Sequence, residues 1–113
     1  MGSFISTDWR LRLDDRTLAH LEYVVVQQFR RDESFLLTWI DHPVDGRVDD
    51  DEGVERSLWL SPSLPVGFEF DALDTTPLEL AWVAALSSGA GSTEGLRLDD
   101  ADGRALRVFT EPR

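Results

Sequence analysis

The chain has 113 residues, a length typical of one domain with a single hydrophobic core. Its 22 Asp and Glu side chains outnumber 11 basic side chains and give a formal net charge of -11. Such a surface repels nucleic acid phosphates and anionic lipid, so direct binding to either is disfavoured, and basic proteins or cations fit it better.

All 11 basic residues are Arg, and the chain contains neither Lys nor Cys. Chemistry that needs a lysine amine, a thiol nucleophile or a thiolate metal site is therefore excluded. No run approaches the roughly 20 apolar residues of a membrane span, and no signal-peptide pattern opens the sequence. We expect a cytoplasmic protein.

The hydrophobic pattern in the first third of the chain predicts a β-hairpin followed by an amphipathic helix. Residues 4–6 and 9–13 form the hairpin, and Asp14 or Asp15 caps a helix that reaches Arg31. One helical stripe is apolar: Leu18, Leu21, Val25 and Phe29, widened by Val24 and Val26. The predicted solvent face carries His20, Tyr23, Gln27, Arg30 and Arg31.

Residues 34–40 are apolar on both faces, which predicts a central strand. Residues 42–56 are rich in Asp, Gly and Glu and predict a flexible acidic loop. Strands are expected again at residues 57–60 and 66–70, separated by a segment that contains two prolines.

Residues 76–79 predict the start of a second helix, with a capping box from Thr76 to Glu79 and Pro77 at the first helical position. The expected buried stripe of this helix is Leu78, Trp82 and Leu86, with Leu80 on the far side. Residues 95–98 and 106–109 predict a closing hairpin around Asp102-Gly103.

The expected fold is α+β, in the order ββ-α-β-β-β-α-ββ. A single mixed or antiparallel β-sheet carries two helices packed on one face. Residues 1–113 are interpreted as a single globular domain.

No catalytic, metal-binding or cofactor-binding residue is predicted. The glycine-rich residues 87–95 follow a helix, whereas a phosphate-binding loop precedes one. The acidic residues 45–52 lack the spacing of a calcium loop. His20 and His42 are both interpreted as surface residues.

The remaining candidate is an exposed contact surface. Tyr and Arg are favoured at protein interfaces, and four side chains share one predicted helix face. Trp59 and Leu80 are added as exposed apolar groups. The predicted surface consists of His20, Tyr23, Gln27, Arg30, Trp59 and Leu80.

Four blocks of sequence resemble a family of short, uncharacterised actinobacterial proteins that often carry the automatic label ATP-dependent DNA ligase. The blocks are DDRTLAHL at residues 14–21, RR-x-ESFLL-x-W at 30–39, S-L-W-L-x-P-S-L-P at 57–65 and G-L-R-L at 95–98. Ser61 stands where members of that family often have His. The label itself conflicts with the chemistry, because such ligases attach AMP to the lysine of K-x-D-G and the nearest string here begins with Asp100.

The sequence therefore predicts a small acidic non-enzymatic interaction module that binds a protein partner or forms a homodimer. One alternative is an accessory or DNA-mimic protein in DNA metabolism. Another is a small-ligand or nucleotide-binding domain. Direct contact with nucleic acid or membrane is not expected.

Overall fold

The computed structural model describes residues 1–41, 54–72, 76–104 and 106–112. The order of elements in this part of the chain is the predicted ββ-α-β-β-β-α-ββ. In chain order, the elements are β1 (Gly2–Ile5), β2 (Trp9–Leu13), α1 (Asp15–Arg30), β3 (Phe35–Asp41), β4 (Val54–Leu60), β5 (Gly67–Glu69), α2 (Leu80–Ala90), β6 (Leu96–Arg97) and β7 (Phe109–Pro112).

The α+β class is confirmed, but the prediction of a single sheet is wrong. The described strands form a four-stranded sheet in the order β5-β1-β2-β7 and a three-stranded sheet in the order β4-β3-β6. All pairs of the first sheet are antiparallel. In the second sheet, β3 pairs antiparallel with β4 and parallel with β6.

The opening hairpin and the helix behind it are as predicted. Leu11 and Leu13 of β2 are buried, and the Arg residues that alternate with them are half-buried. Asp14 caps α1, because its carboxylate accepts hydrogen bonds from the amide (3.0 Å) and hydroxyl (2.6 Å) of Thr17. Asp32 follows the helix with φ of 58°, a left-handed conformation that Asp tolerates better than most residues.

The predicted start of the second helix is wrong. Helix α2 begins at Leu80, and its N-cap residue Glu79 makes no capping hydrogen bond through its side chain. The preceding segment is bound to α1 instead, since a guanidinium nitrogen of Arg16 lies 3.3 Å from both the carbonyl oxygen of Pro77 and the carboxylate of Glu79. Tertiary contacts therefore hold the segment before α2 against α1, and Trp82 and Leu86 are buried as expected.

The predicted closing hairpin is also wrong. The turn at its centre exists, with Gly103 at φ of 80° and the Asp100 carboxylate accepting from the amides of Asp102 and Arg104. Among the described residues, however, the flanking strands β6 and β7 do not pair with each other. Strand β6 joins β3 in one sheet and β7 joins β2 in the other.

Asp41, at the end of β3, connects the two sheets. Its carboxylate accepts a hydrogen bond from the Thr110 amide of β7 at 3.0 Å and another from Arg56 Nε of β4 at 2.8 Å. Beside it, the indole N–H of Trp39 donates to the Thr110 hydroxyl at 2.9 Å. Hydrogen bonds between β3 and Thr110 therefore join the two sheets at their boundary, where Asp41 also forms a parallel β-bridge with Val108.

Both sheets and both helices contribute to one hydrophobic cluster. Residues 54–56, predicted to belong to the flexible acidic loop, form the first part of β4 and pair with residues 39–41. The remainder of that predicted loop, together with His42, lies outside the described residues. In the part of the chain that the structure describes, neither helix is long and apolar enough to cross a membrane.

Candidate interaction surface

The structure distributes the six predicted surface residues over three elements and the interior. Tyr23, Gln27 and Arg30 lie on α1, where Tyr23 and Arg30 are exposed and Gln27 is half-buried. Trp59 lies on β4 and is 58% exposed, and Leu80 begins α2 and is 81% exposed. His20 is buried, so its assignment to the surface is wrong.

His20 lies between the two helices, with 0% of its surface exposed. Its Nδ1 lies 2.7 Å from the carbonyl oxygen of Arg16, and its Nε2 accepts the amide hydrogen of Glu79 at 2.9 Å. These partners require a neutral ring that carries its hydrogen on Nδ1. The ring also stacks on Trp82, with 4.1 Å between ring centroids. His20 therefore joins α1 to the start of α2 and is closed to a ligand.

The buried face of α1 differs from the predicted stripe. It includes the polar side chains of Thr17, His20 and Gln28. On a helical wheel of about 100° per residue, the centre of the buried face lies about 60° around the helix axis from the centre of the predicted apolar stripe. Helix α2 packs against α1 on the His20 side, which hydropathy alone would leave to solvent. No signal in the spacing of apolar residues could have found this displacement.

Strand β4 is the outer strand of the three-stranded sheet. In the described part of the chain, β3 pairs with one of its edges and no strand pairs with the other. Residues 54–57 and Trp59 are exposed, whereas Leu60 is buried in the core. Trp59 faces the same side of the sheet as its cross-strand partner Leu36, which is half-buried. The outer side of this sheet thus presents a large aromatic group next to an unpaired strand edge.

The charges of β4 are balanced within the sheet. Glu55 accepts a hydrogen bond from Arg97 of β6 at 3.3 Å, and Arg56 is paired with Asp41 at 2.8 Å. The guanidinium of Arg56 also lies 5.7 Å from the ring centroid of Trp9. The two described charges of β4 are therefore balanced within a strongly acidic chain.

A groove of about 600 Å³ lies beside Trp59 on the outer side of the sheet. Residues 33–36 at the start of β3, the end of α2 and the loop after it form the other walls. Gly95 lets this loop approach β3, because a Cβ atom there would lie 2.5 Å from the carbonyl oxygen of Leu36. The glycine-rich segment therefore serves close packing and lines the groove. Leu36 and the loop were absent from the predicted surface, although apolar residues on both faces of β3 indicated a contact on this side.

The exposed face of α2 is a second apolar area. Leu80, Ala81, Ala84 and Ala85 are all exposed there. Small side chains of this kind provide little shape for recognition. A second groove, of about 320 Å³, runs between this helix and the turn at residues 99–103.

Burial raises the pKa of the Asp99 carboxyl above its ordinary value, with repulsion from Asp100 acting in the same direction and Arg97 opposing it. The backbone carbonyl of Asp99 accepts the indole hydrogen of Trp82 at 3.0 Å, so this residue also anchors the turn to α2. Across residues 1–41, 54–72, 76–104 and 106–112, no three His, Asp or Glu side chains form a group able to hold a metal ion. The acidic segment at residues 45–52 lies outside those residues.

The fold and this surface define a small α+β domain with an open strand edge. The chain belongs to the family described as a domain of unknown function, DUF7882, whose model matches residues 1–101. No curated protein and no solved structure matches the chain. The prediction of a family without an assigned activity is confirmed, whereas the actinobacterial origin and the ligase label stay predictions.

Proposed function

We propose that this protein is a non-enzymatic interaction module that binds an extended segment of a basic protein partner along the outer edge of β4. The observation that carries the proposal is the seven-residue strand β4, whose outer edge is unpaired among the described residues and whose Trp59 is 58% exposed. An unpaired edge offers a row of backbone donors and acceptors to which a partner strand adds.

Two further features support a basic partner. The formal net charge of -11 attracts a cationic chain over distances of about one Debye length, roughly 8 Å at physiological ionic strength. At β4 itself, Glu55 is paired with Arg97 and Arg56 with Asp41, so the two described charges of this strand are balanced. Trp59 supplies a large apolar contact of the kind that dominates binding energy at protein interfaces.

Hydrogen exchange of the complex tests the proposal. The tagged protein would capture partners from a lysate of the source organism after nuclease treatment, and mass spectrometry would identify them. Each purified partner would then be added back. We expect slower amide exchange at residues 54–60 in the complex and weaker binding by Trp59→Ala, with Tyr23→Ala as the matched exposed aromatic control on α1.

Four results would contradict the proposal. Protection confined to α1 or to the exposed face of α2 would place the contact elsewhere. Equal binding by the Trp59→Ala and Tyr23→Ala variants would remove Trp59 from the interface. A strictly monomeric protein that captures no partner would reject an interaction module altogether, whereas concentration-dependent protection of residues 54–60 without a partner would replace the basic partner with a second copy.

A panel of captured basic proteins also tests the alternative role in DNA metabolism. If the partner is a DNA-binding protein, duplex DNA should compete with this chain for it. Competition that weakens with rising salt would support an accessory or mimic role, because acidic side chains would then occupy the site of the phosphates. Binding unaffected by DNA would reject mimicry and leave the contact at β4 intact.

A further inference from the structure

We infer that the groove beside Trp59 binds a guanidinium or alkylammonium group carried by an Arg or Lys side chain of the partner segment. The inference rests on the proposed function for the claim that the group belongs to a protein partner. The residues that line the groove are the reason for expecting a cation. A side chain projecting from a strand added to β4 would cross Trp59 and reach the start of β3, because Trp59 and Leu36 face the same side of the sheet.

Trp59 provides the first element of recognition. The residue is 58% exposed and lines the groove. A cation over the face of an indole ring is attracted by the ring quadrupole, and tryptophan is the strongest aromatic partner for this interaction. Leu36 beside it would contact the alkyl stem of an Arg or Lys side chain. A similar contact already occurs within the chain, where Arg56 lies over Trp9.

The end of α2 provides the second element. Ala90, the last residue of the helix, and Gly91, its C-cap, both line the groove. The last carbonyls of a helix form the negative end of its dipole, and in α2 those of Ser87 and Gly89 already accept hydrogen bonds from Gly91 and Ser92. The last turn of α2 contains no basic residue that would offset this charge. A cation placed in the groove would therefore be stabilised by the helix end.

Glu33 provides the third element. Glu33 is one of the residues that line the groove, and none of the described lining residues is basic. Arg31 lies 3.9 Å from the Glu33 carboxylate in an ion pair whose members are 61% and 53% exposed. Pairs as exposed as this contribute little, so a bound cation can share or replace Arg31. The same lining disfavours phosphate and other anions, which argues against a nucleotide in this groove.

Titration with single amino acid derivatives tests the groove without a protein partner. The probes are N-acetyl-arginine methylamide and N-acetyl-lysine methylamide, and the neutral isostere N-acetyl-citrulline methylamide is the control. Two-dimensional NMR of the labelled protein would follow the Trp59 indole N–H and the amides of residues 33–36 and 91–93. We expect saturable shifts with the two cations, reduced by salt, and none with the neutral isostere.

Four variants measure how much individual residues that line the groove contribute to the affinity for the arginine probe. Trp59→Ala should lower the affinity for the arginine probe by about 2- to 5-fold, the range expected for an exposed cation–π contact. Glu33→Gln should lower it by a similar factor, and Arg31→Gln should raise it by releasing the carboxylate. Glu69→Gln is the matched control, since Glu69 also pairs with an arginine but lies in the other sheet, and it should leave affinity unchanged.

Equal shifts with the citrulline probe would overturn the inference, because binding would then not depend on charge. A Glu69→Gln effect as large as that of Glu33→Gln would also overturn it, since it would reduce the binding to general attraction by net charge. These outcomes are separate from those of the exchange experiment. If β4 is protected from exchange but the cationic probes cause no shifts, only the cation site in the groove is rejected. If the probes bind but β4 is not protected, only strand addition is rejected.

Discussion

Trp82 and Trp59 show how one residue type serves two opposite purposes in this fold. Trp82 is 7% exposed, stacks on His20 and donates its indole hydrogen to the backbone of Asp99. Trp59 is 58% exposed, on the outer face of an edge strand beside Leu36. The indole N–H of the buried Trp82 has a hydrogen-bond partner, while the exposed Trp59 forms one wall of an open groove. The first ring holds the helices together, and the second is available to a partner.

The largest expected difference in stability is between the variants that replace each of these two Trp residues with Ala. Trp82→Ala should lower the free energy of unfolding by about 3 to 5 kcal/mol, because it leaves a cavity and removes the partner of His20. Trp59→Ala should cost less than about 1 kcal/mol, the range of a single cross-strand pair. Urea denaturation of both variants measures the difference, and similar losses of stability would contradict it.

A substitution at His20 separates the contribution of its stacking on Trp82 from that of its hydrogen bonds. His20→Phe keeps an aromatic ring against Trp82 but leaves the Glu79 amide without its acceptor, while the Arg16 carbonyl keeps only its backbone partner within the helix. The expected cost is about 1 to 3 kcal/mol, the penalty for an unsatisfied buried polar group. Urea denaturation provides the measurement.

Tyr23→Phe is the control for that substitution, since it removes one polar group from an exposed ring on the same helix. It should change stability by less than about 0.5 kcal/mol. A His20→Phe variant as stable as Tyr23→Phe would show that the hydrogen bonds of His20 contribute nothing to the joint between the helices.

The smallest effect is expected at Asp99, whose backbone accepts from Trp82. Because burial raises the pKa of its carboxyl in the folded state, the folded chain holds more protons than the unfolded chain between the ordinary pKa of 3.8 and the raised value. The free energy of unfolding contributed by this group therefore falls as pH rises through that window and stays lower above it.

Asp99→Asn should remove this dependence and increase stability at pH 7. The gain should stay below about 1 kcal/mol, because the ion pair between the half-buried Asp99 and the exposed Arg97 is lost at the same time. Urea denaturation from pH 4 to pH 7 measures both effects. Asp102→Asn, on the same turn, controls for the loss of one negative charge. A decrease in stability at pH 7 specific to Asp99→Asn would contradict the prediction.

The candidate surface was only partly predictable from the sequence. Trp59 and Leu80 were expected to be exposed, and they are. His20 was placed on the same surface because it lies on the polar side of α1, and this failed because α2 covers that side. The groove was missed because its walls come from segments distant in the sequence, the start of β3, the end of β4 and the loop before β6. Period and composition describe one segment at a time and carry no information on which segments meet.

The sequence by itself determined the elements whose signals are local. The hairpin of β1 and β2, a carboxylate cap of α1 at Asp14 or Asp15, the apolar β3 and the turn at Gly103 follow from alternation, side-chain capping and backbone preference, all of which act within a few residues. Only the tertiary structure decided where those elements pair. Strands β6 and β7 join different sheets, and α2 begins at Leu80 after a segment held by α1, because hydrogen bonds to distant partners replaced the local alternatives.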